Sequence, residues 1–194
     1  MSERPTLVVM ARAPRIGAGK TRLAAEIGAV EAWRINRALQ ARTLRVAVDP
    51  RWRTLLCVTP DDAVSLHIPG VWPRHVERMA QGEGDLGARL AQALSPHRRV
   101  AVIGTDCPGV ARKHIASAFA ALQRASFALG PADDGGFWVL AARDGLAAAR
   151  GMTGVRWSTH HAAADVIGNL GSAQVARLAT LRDVDVAADL KRKR

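Results

Sequence analysis

Five apolar runs of strand length recur along the chain, at residues 6–11, 54–59, 100–104, 126–130 and 136–141, with Gly, Pro or Asp at their flanks. Their hydrophobicity is continuous rather than alternating, which suits strands covered on both faces. Between them lie segments with helical spacing. Ala32, Trp33, Ile35, Ala38, Leu39 and Leu44 mark a long helix after the first run; Leu86, Leu90, Ala93 and Leu94 mark a second; Ile115, Ala118, Phe119 and Leu122 mark a third. Strands alternating with helices predict a mostly parallel sheet with helices on both faces. The last two runs break the alternation. Pro131-Ala132-Asp133-Asp134-Gly135 between them is too short for a crossover helix, so these strands are expected to be antiparallel or bent. The expected fold class is α/β, a three-layer α/β/α arrangement on a mixed, mostly parallel sheet. No linker, repeat or low-complexity stretch divides residues 1–194, and a single domain is expected.

In such sheets ligands bind beyond the carboxyl ends of the strands. That directs attention to residues 12–20, 105–108 and 132–135. The net charge of +11 favours an anionic partner, although Lys191-Arg192-Lys193-Arg194 supplies four of the eleven charges and an arginine-rich codon usage would give a similar excess. A phosphorylated small molecule fits this balance. Nucleic acid is not expected as a partner, because aromatics are only 4% and no recognition motif is present. Cys57 and Cys107 form no zinc-type spacing, and a reduced, cytoplasmic setting is the expectation. No apolar stretch approaches the roughly 20 residues of a membrane span. The run at 6–11 is too short for a signal-peptide core.

Several motifs could carry chemistry. Ala11-Arg12-Ala13-Pro14-Arg15-Ile16-Gly17-Ala18-Gly19-Lys20-Thr21-Arg22 joins a strand to a helix. Its glycines free backbone amides to approach phosphate oxygens, and four cations crowd one loop. Gly19-Lys20-Thr21 fits the end of a P-loop, but Pro14 stands where the first glycine belongs and has no amide hydrogen. A solvated basic turn is the plain alternative. Gly104-Thr105-Asp106-Cys107-Pro108 delivers a carboxylate at the end of a buried strand, suited to a hard cation such as Mg²⁺ or to capping the next helix. Asp133-Asp134-Gly135-Gly136 is either a hairpin turn or a ligand-facing acid pair, and adjacent side chains there would point opposite ways. Gln81-Gly82-Glu83-Gly84-Asp85-Leu86-Gly87-Ala88-Arg89 leads into a helix, with Asp85 as its expected N-cap. Asp183-Val184-Asp185 returns acids to a basic chain, either at a helix start capped by Asp185 or as metal carboxylates. Arg156-Trp157-Ser158-Thr159-His160-His161 is expected in core or surface roles, with Ser158 or Thr159 capping a helix that runs to Leu170.

These segments in this order resemble an uncharacterised family of glycosyltransferase-A (GT-A) fold proteins. Related proteins include 2-phospho-lactate guanylyltransferase and, more distantly, molybdenum cofactor guanylyltransferase. The resemblance implies a Rossmann-like nucleotide-diphospho-sugar transferase fold. It also implies a Mg²⁺- or Mn²⁺-dependent transfer from a nucleotide sugar or nucleoside triphosphate to a small acceptor. Catalysis would fall to Lys20, Arg12 and Asp106. Nucleotide binding would fall to Ala11, Ala13, Pro14, Gly17, Arg22, Gly84, Asp85 and Gly87. Metal would go to Asp106 and Asp185, with Asp183 next, and the acceptor to Asp134, Gly135, Phe137 and Trp138. Val186 and Phe137 depart from the family pattern, which favours Thr and Tyr there. Glycosyl and nucleotidyl transfer both stay open. So do a P-loop-type ATPase or kinase and a non-catalytic nucleotide- or nucleic-acid-binding protein.

Overall fold

The computed structural model describes residues 4–191. The first three residues and the last three of the basic tail lie outside the described residues. The strands are β1 (Thr6–Arg12), β2 (Arg53–Thr59), β3 (Glu77–Ala80), β4 (Val100–Ile103), β5 (Phe127–Pro131), β6 (Phe137–Ala142) and β7 (Val175–Arg177). The helices are α1 (Thr21–Ile27), α2 (Ala29–Ala47), α3 (Leu86–Leu94), α4 (Arg112–Ala121), α5 (Gly145–Arg150), α6 (Ala162–Leu170) and α7 (Ala187–Lys191). No helix among the described residues is long and apolar enough to cross a membrane.

One sheet of seven strands runs in the order β3-β2-β1-β4-β6-β5-β7. Its mixed character comes from β6, which is antiparallel to both β4 and β5. The other pairings are parallel. The tight connection between β5 and β6 forces this reversal, as the short gap in the sequence requires.

Both faces of the sheet are covered, which explains the unbroken apolar runs. Leu7, Val9 and Ala11 of β1 pack with Leu44 and Ala47 of α2 and Ile115, Ala118 and Phe119 of α4. Val8 faces the other way, with Leu90 and Leu94 of α3, Ala148 of α5 and Val166 and Ile167 of α6. The result is three layers, helix–sheet–helix. Burying a Leu or Ile side chain in such a layer contributes about 1.5–3 kcal/mol.

The sheet has two strands that the apolar runs do not announce. Glu-Arg-Met-Ala in β3 is only partly buried at its edge position, and β7 is three residues long. The first helical region is also split. Gly28, at φ 88°, ends α1 and precedes α2, a conformation that costs glycine least. Strands β1 to β5 finish at one edge of the sheet, and β6 begins there. The loops after β1 and β4 and the β5–β6 turn therefore meet.

Candidate active site

A cleft of about 610 Å³ opens along that edge. Lys20 lines it. This residue sits in the left-handed region at φ 50°, ψ 41°, directly before α1. A non-glycine residue held there costs about 1–2 kcal/mol, so surrounding contacts must impose it. Lys20 Nζ lies 2.8 Å from Asp106 Oδ1 and 3.0 Å from Asp185 Oδ1, and donates to the Val184 carbonyl at 2.5 Å. The Lys20 side chain is 6% exposed, against 50% for Asp106 and 34% for Asp185. Burial pushes its ammonium down, but Asp106 and then Asp185 outweigh that through charge and hydrogen bonds. The net shift is upward from the usual lysine value. Removing an ammonium from water costs several kcal/mol, so two carboxylates on one cation are what hold it charged in this position.

The partners of Lys20 are themselves fixed. The Val184 amide donates to the Asp106 carbonyl at 2.9 Å, tying the late acidic segment to the end of β4. Asp106 does not cap α4; the N-cap position is Ala111, whose amide donates to His114 Nδ1 at 3.3 Å. Asp185 is not the side-chain cap of α7 either. The Asp185 and Val186 amides both donate to Asp189 Oδ2, at 2.9 Å each. Arg22 reaches Asp185 at 3.6 Å from an exposed position, a contact worth little in water.

A second group of acids adjoins Asp185. Asp134, Asp183 and Asp185 each place a carboxylate oxygen within 4.8 Å of the others. Such an oxygen-only set has the donor chemistry that Mg²⁺ and Mn²⁺ prefer. Burial, followed by the Asp134 charge, pushes the Asp183 carboxyl up to about 6. Asp134 also accepts from the Gly136 amide at 2.8 Å, while Asp133 turns away to Arg182 at 3.0 Å. Burial pushes the nearby Cys107 thiol up, so it stays protonated and inert.

Of the residues singled out in sequence, Ala11, Arg12, Lys20, Arg22, Asp106, Asp134, Phe137, Trp138 and Asp185 line the cleft. Others stand outside its wall. Ala13 is buried in the core, and the Pro14 carbonyl accepts from Trp33 Nε1 at 2.7 Å. Gly17 lies in the loop with open space beside its Cα. Asp85 caps α3 by accepting from the Ala88 amide at 2.8 Å. Gly84 gives way to Ala88, whose Cβ would stand 2.8 Å from a side chain there. Gly87 makes room for Trp157: a Cβ on it would lie 2.6 Å from Trp157 Nε1. Gly135 lets the turn approach the His160 backbone, which a Cβ would meet at 2.3 Å. These four positions therefore serve turn, cap and packing geometry.

Trp157, Ser158, Thr159 and His160 also line the cleft, the last three from exposed positions that fit the surface role expected of them. Neither Ser158 nor Thr159 caps α6: the N-cap position is His161, without a side-chain bond, and Thr159 accepts from the His161 amide at 3.2 Å in the turn before it. Phe137 and Trp157 meet edge-on, with centroids 6.3 Å apart. Gln81 donates to the Ala11 and Cys57 carbonyls at 3.1 and 3.0 Å, and Gln40 donates to the Arg12 carbonyl at 2.8 Å. These buried amides pin the end of β1. The readable signal was polar: Asn36 and Gln40 interrupt the apolar face of α2 four residues apart.

The sheet order, its reversed strand and the cation–carboxylate cluster at the carboxyl edge define a mixed α/β fold of the GT-A type, shared with nucleotide-diphospho-sugar transferases. Residues 43–159 match the family described as "Uncharacterized protein conserved in bacteria (DUF2064)", and the chain belongs to that family. Among solved structures, the chain is similar to a protein from Desulfovibrio desulfuricans G20 named for nucleotide-diphospho-sugar transfer. Identity is 25%, TM-score 0.86, with 97% of this chain and 85% of that one covered. It shares its fold with 4-diphosphocytidyl-2C-methyl-D-erythritol synthase from Anaerococcus prevotii DSM 20548, at 8% identity, TM-score 0.64 and coverage of 97% and 93%. It also shares it with glucosyl-3-phosphoglycerate synthase from Mycobacterium tuberculosis, solved with Mn²⁺, uridine diphosphate and glucosyl-3-phosphoglycerate. There the identity is 12%, the TM-score 0.52 and the coverage 93% and 71%. No curated protein matches this chain.

Proposed function

We propose that this protein is a divalent-metal-dependent transferase that uses a nucleoside triphosphate or nucleotide sugar, with one cytoplasmic domain formed by the chain. The observation that carries the reading is Lys20 held between Asp106 and Asp185 at the carboxyl edge of the sheet. Nucleotidyl transfer, the reaction of the guanylyltransferases that the sequence resembles, is the favoured chemistry. The cleft is lined by Arg12, Lys20, Arg22 and Arg89, more cations than a neutral sugar acceptor needs. Glycosyl transfer is the second reading, favoured by the similarity to the Desulfovibrio protein.

In nucleotidyl transfer an acceptor oxygen attacks the α-phosphorus of the triphosphate. A new P–O bond forms, the α–β bond breaks, and pyrophosphate leaves with the bonding electrons. Arg12, Lys20 and Arg22, beside glycines that open the backbone, are placed to bind the phosphates and stabilise their growing charge. Asp106 and Asp185, with Asp183 and Asp134 adjoining, would hold Mg²⁺ or Mn²⁺. When bound, that cation supplies charge neutralisation at the phosphate oxygens. Phe137, Trp138 and the β5–β6 turn would border the acceptor. Gly84, Asp85 and Gly87 would serve nucleotide binding only through the turn that leads into α3, not by touching the ligand.

Thermal-shift titration with each nucleoside triphosphate and nucleotide sugar, with and without Mn²⁺, tests this reading. Wild-type protein is expected to show a metal-dependent nucleotide shift that Asp106→Ala and Asp185→Asn lose. Unchanged shifts in both variants would remove the metal assignment. Tight, salt-sensitive DNA binding with no nucleotide shift would replace the transferase by a nucleic-acid-binding protein.

A further inference from the structure

We infer that Arg89 grips an anionic group of the acceptor, a phosphate or a carboxylate, so that the acceptor is a small acid with an apolar body. This rests on the transferase reading above and deepens it.

Arg89 lies on α3, and Leu86, Arg89 and Leu90 share one face of that helix at i, i+3 and i+4. All three line the cleft. Among the described residues the Arg89 side chain has no hydrogen bond or ion pair, and its Nε is buried without a partner. The contrast with Lys20 is direct, since that cation is already held by two carboxylates. A buried, unpaired guanidinium nitrogen is uncommon in native structures. The planar fork matches carboxylate and phosphate, which it can hold bidentately.

Its location separates it from the phosphate loop. The residues that support that loop, Asn36 and Gln40, belong to α2, which buries Leu44 and Ala47 on one face of the sheet. Helix α3 buries Leu90 and Leu94 on the opposite face. Arg89 therefore enters the cleft from the far layer, where Met10, Val102, Phe137 and Trp157 supply an apolar wall. Gly87 seats α3 against Trp157, so Arg89 and this wall form one unit. An anion held there is not one of the nucleotide phosphates beside Lys20. It belongs to the second substrate.

The test begins with the full chain and no nucleotide. Phenylglyoxal labelling of Arg89 is followed by peptide mass spectrometry in chloride, inorganic phosphate or malonate at equal ionic strength. Phosphate, malonate or both are expected to slow labelling of Arg89 several-fold while exposed Arg124, outside the cleft, is unaffected. Protection by phosphate alone assigns a phosphorylated acceptor, and protection by malonate alone assigns a carboxylic acid. Equal labelling in all three salts overturns the inference. In a second arm, Arg89→Leu and Arg89→Lys are tested for the nucleotide shift with Mn²⁺. A shift retained in both, with anion protection of the wild type, supports an acceptor role. A shift lost in folded Arg89→Leu places Arg89 on the nucleotide and overturns it. A wild-type protein that shows no nucleotide shift sinks the transferase reading by itself, because the labelling arm contains no nucleotide.

Discussion

Lys20 concentrates the electrostatics of the cleft in a single atom. Its Nζ neutralises two carboxylates that would otherwise repel each other, from a residue whose backbone is left-handed. Lys20→Ala is therefore expected to lower turnover on the order of 10²–10³-fold, the usual effect of removing one donor from a preorganised charge-stabilising site. Steady-state kinetics on folded variant protein would check this, with circular dichroism as the control. Much of this arrangement was legible in sequence. Gly19-Lys20-Thr21 follows a buried strand, and Asp106 ends another, so both were placed at one edge by the parallel-sheet rule. The adjacent acids Asp133 and Asp134 reach different partners, Arg182 and the Gly136 amide, but from a turn rather than from the strand that the alternation rule assumed. Arg89 was not legible, because an arginine on an amphipathic helix ordinarily faces water.

Among the elements, the long apolar strands were readable and the edge strands were not. Continuous hydrophobicity marks burial on both faces, but β3 and β7 are short and half-exposed, and their backbone pairing leaves no pattern in the side chains. Gly84, before α3, and Gly87, within it, mark close approach, and the groups that approach them are Ala88 and Trp157. The loop that presents Trp157 is held by Asp165 of α6. Its carboxylate accepts from Arg156 Nε at 2.9 Å, from Nη2 at 2.7 Å and from the Arg156 amide at 3.0 Å. These bonds, the side-chain ones first, hold the Asp165 carboxyl well below the usual carboxylate range. A depressed acid adds stability above its unfolded pKa, and that stability is lost as pH falls through the folded value. Asp165→Asn should therefore melt at a lower temperature than wild type at pH 7. The gap should close as pH falls below about 4, the ordinary Asp value. Thermal melts of both proteins across that range would decide it. A gap that widens in acid would contradict the assignment.

The sheet and the site draw on different stretches of the chain. All seven strands are complete by Arg177, whereas Asp183, Val184 and Asp185 arrive afterwards. Leu181 joins this return by donating its amide to the Pro131 carbonyl at 3.0 Å, and Val184 buries its side chain. A chain ending at Thr180 is expected to keep its sheet, with a far-ultraviolet circular dichroism spectrum reduced only by the loss of α7, and a lowered melting temperature. It should lose the Mn²⁺-dependent nucleotide shift, and a truncated protein that keeps it would relocate the metal ligands. The ion pair between Lys20 and Asp185 spans 165 positions of sequence. On a ribosome adding roughly 5–20 residues per second, on the order of 10–30 s separate the making of the cation from the making of its second anion. Throughout that interval the growing polypeptide has the loop that carries Lys20 but not the acidic segment around Asp185. A nascent chain can therefore acquire its layers before the second carboxylate of Lys20 has been made.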